Sequence, residues 1–434
     1  MFERIFKLRE HRTNVPREFF AGLTTFLTMS YIIFVNPSIL ADAGLPREAL
    51  ITATILASVA GTALVGLWAN VPYAMAPGMG LNAYFAYTLV LHQGVPWETA
   101  LGVVFLSGMV FLVLTLAGVR EKVVAAIPLC LRLAAGGGIG LFIALIGFQN
   151  MGLVVANEVT LAKLGSITPP VWLGLGGLLL LGVLEARKVP GAILLSVLAT
   201  TGVGMALGKT PLPDGVLSLP PSLAPIAFKV DILGALKVSL IAPIFSLMFV
   251  DLFDSVGTIV ACSHQAGMID KDGRIHKIDR ILEADAIATV VGSLLGTSTT
   301  TTYLESGSGI AAGGRTGLTA VSVAFFFLLA LFFTPLIGAV PAFATAPALV
   351  GVGVFMFQSI KAIDFTTFDE AVPAFLTIIL MPLTYSISNG LIFGFLSYIV
   401  IAVLCGKWSK LNPVLLVVGL LSLLQILIEA GCLK

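Results

Sequence analysis

The chain has 434 residues, 58% of them hydrophobic and 11% charged, with a formal net charge of +1 and a mean hydropathy of +1.04. A soluble domain carries about 25% charged residues, so the composition excludes a soluble protein and leaves a polytopic helical membrane protein. There is no basic block for nucleic acid to bind, and the four cysteines (Cys130, Cys262, Cys405, Cys432) are scattered without metal or redox spacing.

In chain order, residues 1–18 form a polar segment with Arg4, Lys7, Arg9, Arg12 and Arg17. The first apolar run, about 19–40, is long enough to span and is read as an uncleaved signal-anchor. Apolar segments follow at 49–68, 72–90, 97–118, about 134–156 (with a lead-in from Val123), 170–185 and 190–208. A linker, 210–232, separates these seven from seven more: 233–262, 281–296, 297–315, 316–337, about 345–360, 371–385 and 388–406. A charged loop, 263–280, joins segments eight and nine. A last apolar run, 412–430, either spans again or lies against the bundle.

With the N-terminus placed in the cytoplasm, eighteen of the 24 Lys and Arg fall on that side and five on the other, Lys434 being undecided. Loops rich in Lys and Arg stay cytoplasmic, so this imbalance supports both the segment count and the orientation.

Segments three and ten are unlike the rest. Pro72 and Pro77 flank Y-A-M-A, then G-M-G-L-N opens a short helix. Residues 297–315 read T-S-T-T-T-T-Y-L-E-S-G-S-G-I-A-A-G-G-R. The β-branched run favours extended backbone, and a short helix is expected only from about Ser306. Non-helical backbone at membrane depth survives only where protein or a water-filled cavity satisfies it.

The halves match in order. Segments seven and fourteen share a length and a closing Gly-Lys. Phe148-Gln149-Asn150 corresponds to Phe357-Gln358-Ser359, and Gly78-Met79-Gly80 to Gly307-Ser308-Gly309. Seven segments is an odd number, so the second copy is inverted. Paired interrupted segments in inverted repeats point to a transporter's site.

Glu305 is the sharpest residue there, since a carboxylate at membrane depth is costly. Thr302-x-x-Glu305 also reads as a capping box, with Thr302 as N-cap. Asp251 and Asp254, three apart on segment eight, share a face with Ser255, Thr258 and Cys262. The alternative for either aspartate is that it only accepts hydrogen bonds from a broken segment. Carboxylates gathered in one cavity cannot all ionise cheaply, which makes Glu305, Asp251 and Asp254 candidates for proton coupling. Asn82, beside Gly78 and Gly80, offers donor and acceptor where glycines allow close approach; helix capping and packing is the plainer account. Asn36, before Pro37, reads as a kink or end feature. Thr24, Thr28 and Tyr31 form a polar stripe on segment one. Glu283 and Asp285 open segment nine as acids complementing a helix start, and Arg315 reads as a cap or gate ion-pair member.

No Walker loop or HExxH is present, and no enzyme is expected. An intramembrane aspartyl protease would need its acids on two facing helices and a G-x-G-D. An anion transporter or channel of the same fold is the other alternative, opposed by three acids at the site.

Four stretches, T-T-F-L-T-M-S-Y-I-I-F-V-N-P (24–37), A-P-G-M-G-L-N-A-Y-F-A-Y (76–87), F-V-D-L-F-D-S-V-G-T (249–258) and G-T-S-T-T-T-T-Y-L-E-S-G-S-G-I-A-A-G-G-R-T-G-L-T-A-V (296–321), together resemble the AzgA-type purine permeases. These are a branch of the xanthine/uracil permease (nucleobase–ascorbate transporter) superfamily. The resemblance implies an all-α fold of about fourteen segments in two inverted repeats of seven (19–209 and 233–407), with short strands in segments three and ten. It implies a core domain (19–118 plus 233–338) and a gate domain (121–209 plus 340–407), the latter often a homodimer contact. The run 408–434 exceeds that pattern. The implied substrate is a purine base imported with protons across the cell membrane, with xanthine or uracil as the alternative. Carried over by motif, Glu305, Asp251 and Asp254 hold the base's N–H edges or the proton. Asn82, the Gly78–Gly80 backbone, Thr302 and Ser306 complete the site.

Overall fold

The computed structural model describes residues 2–118, 127–213, 215–269 and 275–429. Among them, nine helices are long and apolar enough to cross a membrane, with shorter apolar helices at Ala192–Ala206 and Pro413–Leu427. Those nine, Ala192–Ala206, two further helices (Ile278–Leu295 and Phe368–Leu383) and the two broken segments make up the fourteen expected segments, with Pro413–Leu427 additional to them. The chain is therefore an all-α multi-pass membrane protein with a few short strands.

Several boundaries differ from the sequence reading for local reasons. Segment one is two helices, Val15–Met29 and Ile32–Asp42. Thr24, Thr28 and Ser30 turn their hydroxyls back onto carbonyls of their own helix, which loosens and bends it. Segment five, Leu129–Asn150, ends earlier than expected; Val154–Asn157 (β2) and Leu161–Leu164 (β3) then form a hairpin outside the bundle. V-V-A-N is apolar enough to pass for more helix. The lead-in from Val123 lies partly outside the described residues. Segment eight enters through two short turns before its main helix, Ile241–Ala266.

Segment five packs on segments twelve and thirteen, thirteen on fourteen, and six on seven and twelve. Separately, segment two packs on nine and eleven, nine on four, and eleven on one. The final helix, Pro413–Glu429, lies against segment fourteen and touches segment eight.

Met75–Pro77 (β1) of segment three and Thr300–Thr302 (β4) of segment ten pair antiparallel, Met75 opposite Thr302 and Pro77 opposite Thr300. The proline-flanked stretch and the threonine run thus share one ladder. Each then feeds a helix, Met79–Ala83 and Ser306–Ala311 respectively. Segment three continues as a π-helix, Tyr84–His92, a form concentrated at functional sites.

Candidate functional site

The strand pair is buried throughout. Its backbone is satisfied by the ladder, by Gly78 N–H donating to Thr299 O (2.9 Å) and by Tyr303 N–H donating to Ala74 O (2.9 Å). Side chains tie it further. Tyr303 donates its hydroxyl to Pro77 O (2.6 Å), and Ser306 Oγ accepts from Ala74 N–H (3.0 Å). Ser306 therefore closes the two broken segments on each other.

Four carboxylates surround this pair in two sets. Asp254 of segment eight and Glu305 are half-buried and feel each other's charge. Glu305 Oε1 accepts from the Tyr31 hydroxyl at 2.5 Å, so the polar stripe of segment one supplies a site contact only through Tyr31. Asp251 and Asp285 are closed off, 1% and 0% exposed. Asp285 Oδ2 accepts from Ser255 (2.6 Å) and its Oδ1 from Thr302 (3.2 Å), while Ser255 Oγ also lies 2.6 Å from Thr301 Oγ1. Asp251 Oδ2 lies 3.2 Å from Thr289 Oγ1, and its Oδ1 has no partner.

The capping box is overturned by these bonds. Thr302 belongs to β4 and turns to Asp285. Glu305 is itself the N-cap of Ser306–Ala311, makes no side-chain cap bond, and is held instead by Tyr31. Asp285 is also not a helix-start acid. Segment nine begins at Ile278, so Asp285 sits two turns in, facing β4. Glu283 does stay structural, accepting from Trp68 Nε1 at 3.1 Å.

Asn82 is fully buried; its Oδ1 accepts from Ser298 Oγ, and its Nδ2 has no partner. A free donor therefore sits beside the end of β1. Gly78 lies against Thr301, where a Cβ would come within 2.9 Å of Cγ2, and Gly80 against Ile139 of segment five. The small size of Gly80 thus serves packing between segments. Asn36 is more than a kink feature: its Nδ2 donates to Thr54 Oγ1 (2.7 Å) and Thr297 Oγ1 (3.0 Å), joining segments one, two and ten. Arg315 caps the half-helix, Nη1 donating to Ile310 O and Gly314 O.

Glu18, a carboxylate not singled out in the sequence, is fully buried. It accepts from the N–H groups of Arg315 and Thr316 and the hydroxyls of Thr316 and Thr319, fixing the start of segment one to the turn between ten and eleven. Toward the other end of the bundle, Tyr87 donates to Asp42 Oδ2 (2.7 Å) and Tyr385 to Gln149 Oε1 (2.6 Å). The rings of Tyr87, Phe142 and Tyr385 stack edge to face at 5.2–6.4 Å.

Two broken segments crossing at a strand pair, ringed by carboxylates, form a transporter's architecture. Residues 16–393 match the Permease family model of the xanthine/uracil type. The chain belongs to the xanthine/uracil permease family. Its proteins are permeases, not enzymes. The chain is 43% identical over 427 residues to the adenine permease AdeP of Escherichia coli, covering 98% of this chain and 96% of the relative. It is 42% identical over 432 residues to the guanine/hypoxanthine permease PbuO of Bacillus subtilis, covering 98% and 100%. Among solved structures, the transmembrane domain of the cyanobacterial bicarbonate transporter BicA superposes with a TM-score of 0.65 at 16% identity, over 88% of this chain and 97% of that one. SLC26A9 superposes with a TM-score of 0.61 at 12% identity, over 89% and 66%. This permease thus shares their fold.

Proposed function

We propose that this permease carries purine nucleobases by proton symport, binding the base at the strand crossing between segments three, eight and ten. The observation that supports this most is that the same strand pair has the half-open carboxylates Asp254 and Glu305 on one side and a fully buried Asn82, whose Nδ2 has no partner, beyond β1. A purine is planar, small and neutral, with N–H donors and ring-nitrogen acceptors along its edge. Carboxylates accept from its N–H groups, and the Asn82 amide donates to a ring nitrogen or carbonyl. Whole-length relatives named for adenine and for guanine/hypoxanthine agree with that chemistry.

In this reading, segments one to four and eight to eleven form the core, and five to seven and twelve to fourteen form the gate. The N-terminus is cytoplasmic and the membrane is the cell membrane. The Tyr87–Asp42 and Tyr385–Gln149 bonds then close the outer side, and the half-open carboxylates face inward. Core rocking against gate gives alternating access, with the outer face of the gate as the surface for a homodimer. A proton taken by Asp254 or Glu305 with the base, and released inside, couples the two fluxes.

The test is counterflow in proteoliposomes with labelled adenine, guanine and hypoxanthine, followed by accumulation under an imposed proton or sodium gradient. Exchange of a purine and proton-driven accumulation are expected. Exchange of xanthine or uracil alone, or accumulation driven only by sodium, would overturn the respective half of the reading.

A further inference from the structure

The two broken segments are braced by one device used twice. In an antiparallel pair, alternate residues turn their N–H and C=O away from the ladder. Met75 of β1 is such a residue. Its N–H donates to Thr62 Oγ1 at 2.9 Å, and the same hydroxyl donates to Met75 O at 2.9 Å. Thr300 of β4, opposite Pro77, is another such residue. Its N–H donates to Thr289 Oγ1 at 3.2 Å, and that hydroxyl donates to Thr300 O at 3.0 Å. Thr62 and Thr289 are both fully buried, on segments two and nine, which are partners in the inverted repeat.

The second brace carries one group that the first lacks. Asp251 Oδ2 also lies 3.2 Å from Thr289 Oγ1. A hydroxyl has one hydrogen and two lone pairs. Thr289 Oγ1 is placed to donate to either Thr300 O (3.0 Å) or Asp251 Oδ2 (3.2 Å), and it has one hydrogen. Giving it to Thr300 O, as Thr62 gives its own to Met75 O, satisfies a buried carbonyl, while one lone pair takes Thr300 N–H. With the hydrogen so placed, the remaining lone pair faces Asp251 and the hydrogen in that contact comes from the carboxyl. The other carboxyl oxygen, Oδ1, is buried without a partner, an arrangement costly for a carboxylate and mild for a neutral acid. The charged groups around it are Asp285 on segment nine and Asp254 one turn along its own helix, with Glu305 beyond Asp254 on segment ten; all are acidic. Asp285 differs: it accepts from Ser255 and Thr302 and so is satisfied as a carboxylate.

We propose that Asp251 is a resident neutral carboxylic acid, a positioning residue that donates to Thr289 and through it holds β4, and that it is not the group whose proton cycles with substrate. This rests on the permease reading above and assigns the cycling proton to the half-open Asp254 and Glu305. Asp251 is 1% exposed behind the strand, whereas Asp254 and Glu305 are half-open.

The test compares Asp251→Asn, Asp251→Ala, Thr289→Ser and Thr289→Val in proteoliposomes, reading purine counterflow and proton-driven accumulation separately. Asparagine replaces the carboxyl O–H with an amide N–H that can donate to Thr289, so Asp251→Asn is expected to keep both activities within about threefold. Asp251→Ala and Thr289→Val, which remove the bond, are expected to lose both by about tenfold, and Thr289→Ser to restore them. Retained counterflow with lost accumulation in Asp251→Asn would make Asp251 the cycling group and overturn the proposal, as would loss of both activities in that variant when correctly folded. Infrared difference spectra of wild type minus Asp251→Asn give a readout independent of transport. The C=O stretch of a protonated carboxyl, present at about pH 8 where an exposed aspartate is fully ionised and missing in the variant, is expected. Absence of that band in the wild type would contradict the proposal even if the purine reading holds. Presence of the band with no purine transport would fault the purine reading alone.

Discussion

The two broken segments share a backbone and differ in chemistry. Each is a three-residue strand feeding a half-helix, and each strand is braced by a threonine from the neighbouring span. Segment three surrounds its crossing with Ala74, Met75, Ala76 and Asn82, none of which ionises. Segment ten carries Glu305 and meets Asp251, Asp254 and Asp285 from segments eight and nine. The duplicated fold therefore supplies symmetric geometry, and the acids of the second repeat make the site asymmetric. On the proposed reading, one half offers a neutral donor, and Asp254 and Glu305 of the other offer acceptors and carry the proton.

That contrast can be broken from either side. Removing a half-open acid should cost most: Asp254→Asn is expected to lower purine uptake by about a hundredfold, the scale of a lost charged hydrogen bond, measured as initial uptake at matched membrane expression. Neutralising the other half should cost less. Asn82→Ala removes one neutral donor, and about a tenfold loss in affinity is expected by competition binding. If Asn82→Ala proved worse than Asp254→Asn, the division of labour would be reversed. Tyr31→Phe leaves the Glu305 carboxylate in place and takes away only its 2.5 Å hydroxyl. A threefold to tenfold weakening, about 1 kcal/mol, is expected in the same assay. Smallest in transport and largest in stability should be Glu18→Gln. Its four bonds lie at the end of segment ten, away from the strands. An amide nitrogen facing those donors should lower the thermal midpoint in detergent by several degrees, with uptake at ambient temperature within about twofold.

Much of the fold was legible because its signals are local. Long apolar runs mark the spans, and prolines, glycines and the threonine run mark the breaks. The β-branched run in segment ten and the prolines in segment three marked non-helical backbone, while the strands themselves came with the family resemblance. The hairpin at 154–164 was not legible, since an apolar strand leaving a helix looks like more helix. The site divided in the same way. Glu305, Asp251, Asp254 and Asn82 stand out as polar residues in apolar surroundings. Asp285 was hidden because an acid early in a helix has a ready explanation in the helix dipole, and its pairing with Thr302 exists only in three dimensions. Thr302-x-x-Glu305 failed as a cap because the strand claims Thr302 first. Thr62 and Thr289 had no signal, since a threonine inside an apolar helix is compatible with packing.

The most direct test of the central claim, that the half-open acids Asp254 and Glu305 couple purine and proton, is accumulation of labelled purine by Glu305→Gln against wild type under an imposed proton gradient, with membrane insertion verified. The account predicts that wild type concentrates the base and that Glu305→Gln does not. Undiminished accumulation by Glu305→Gln would contradict it.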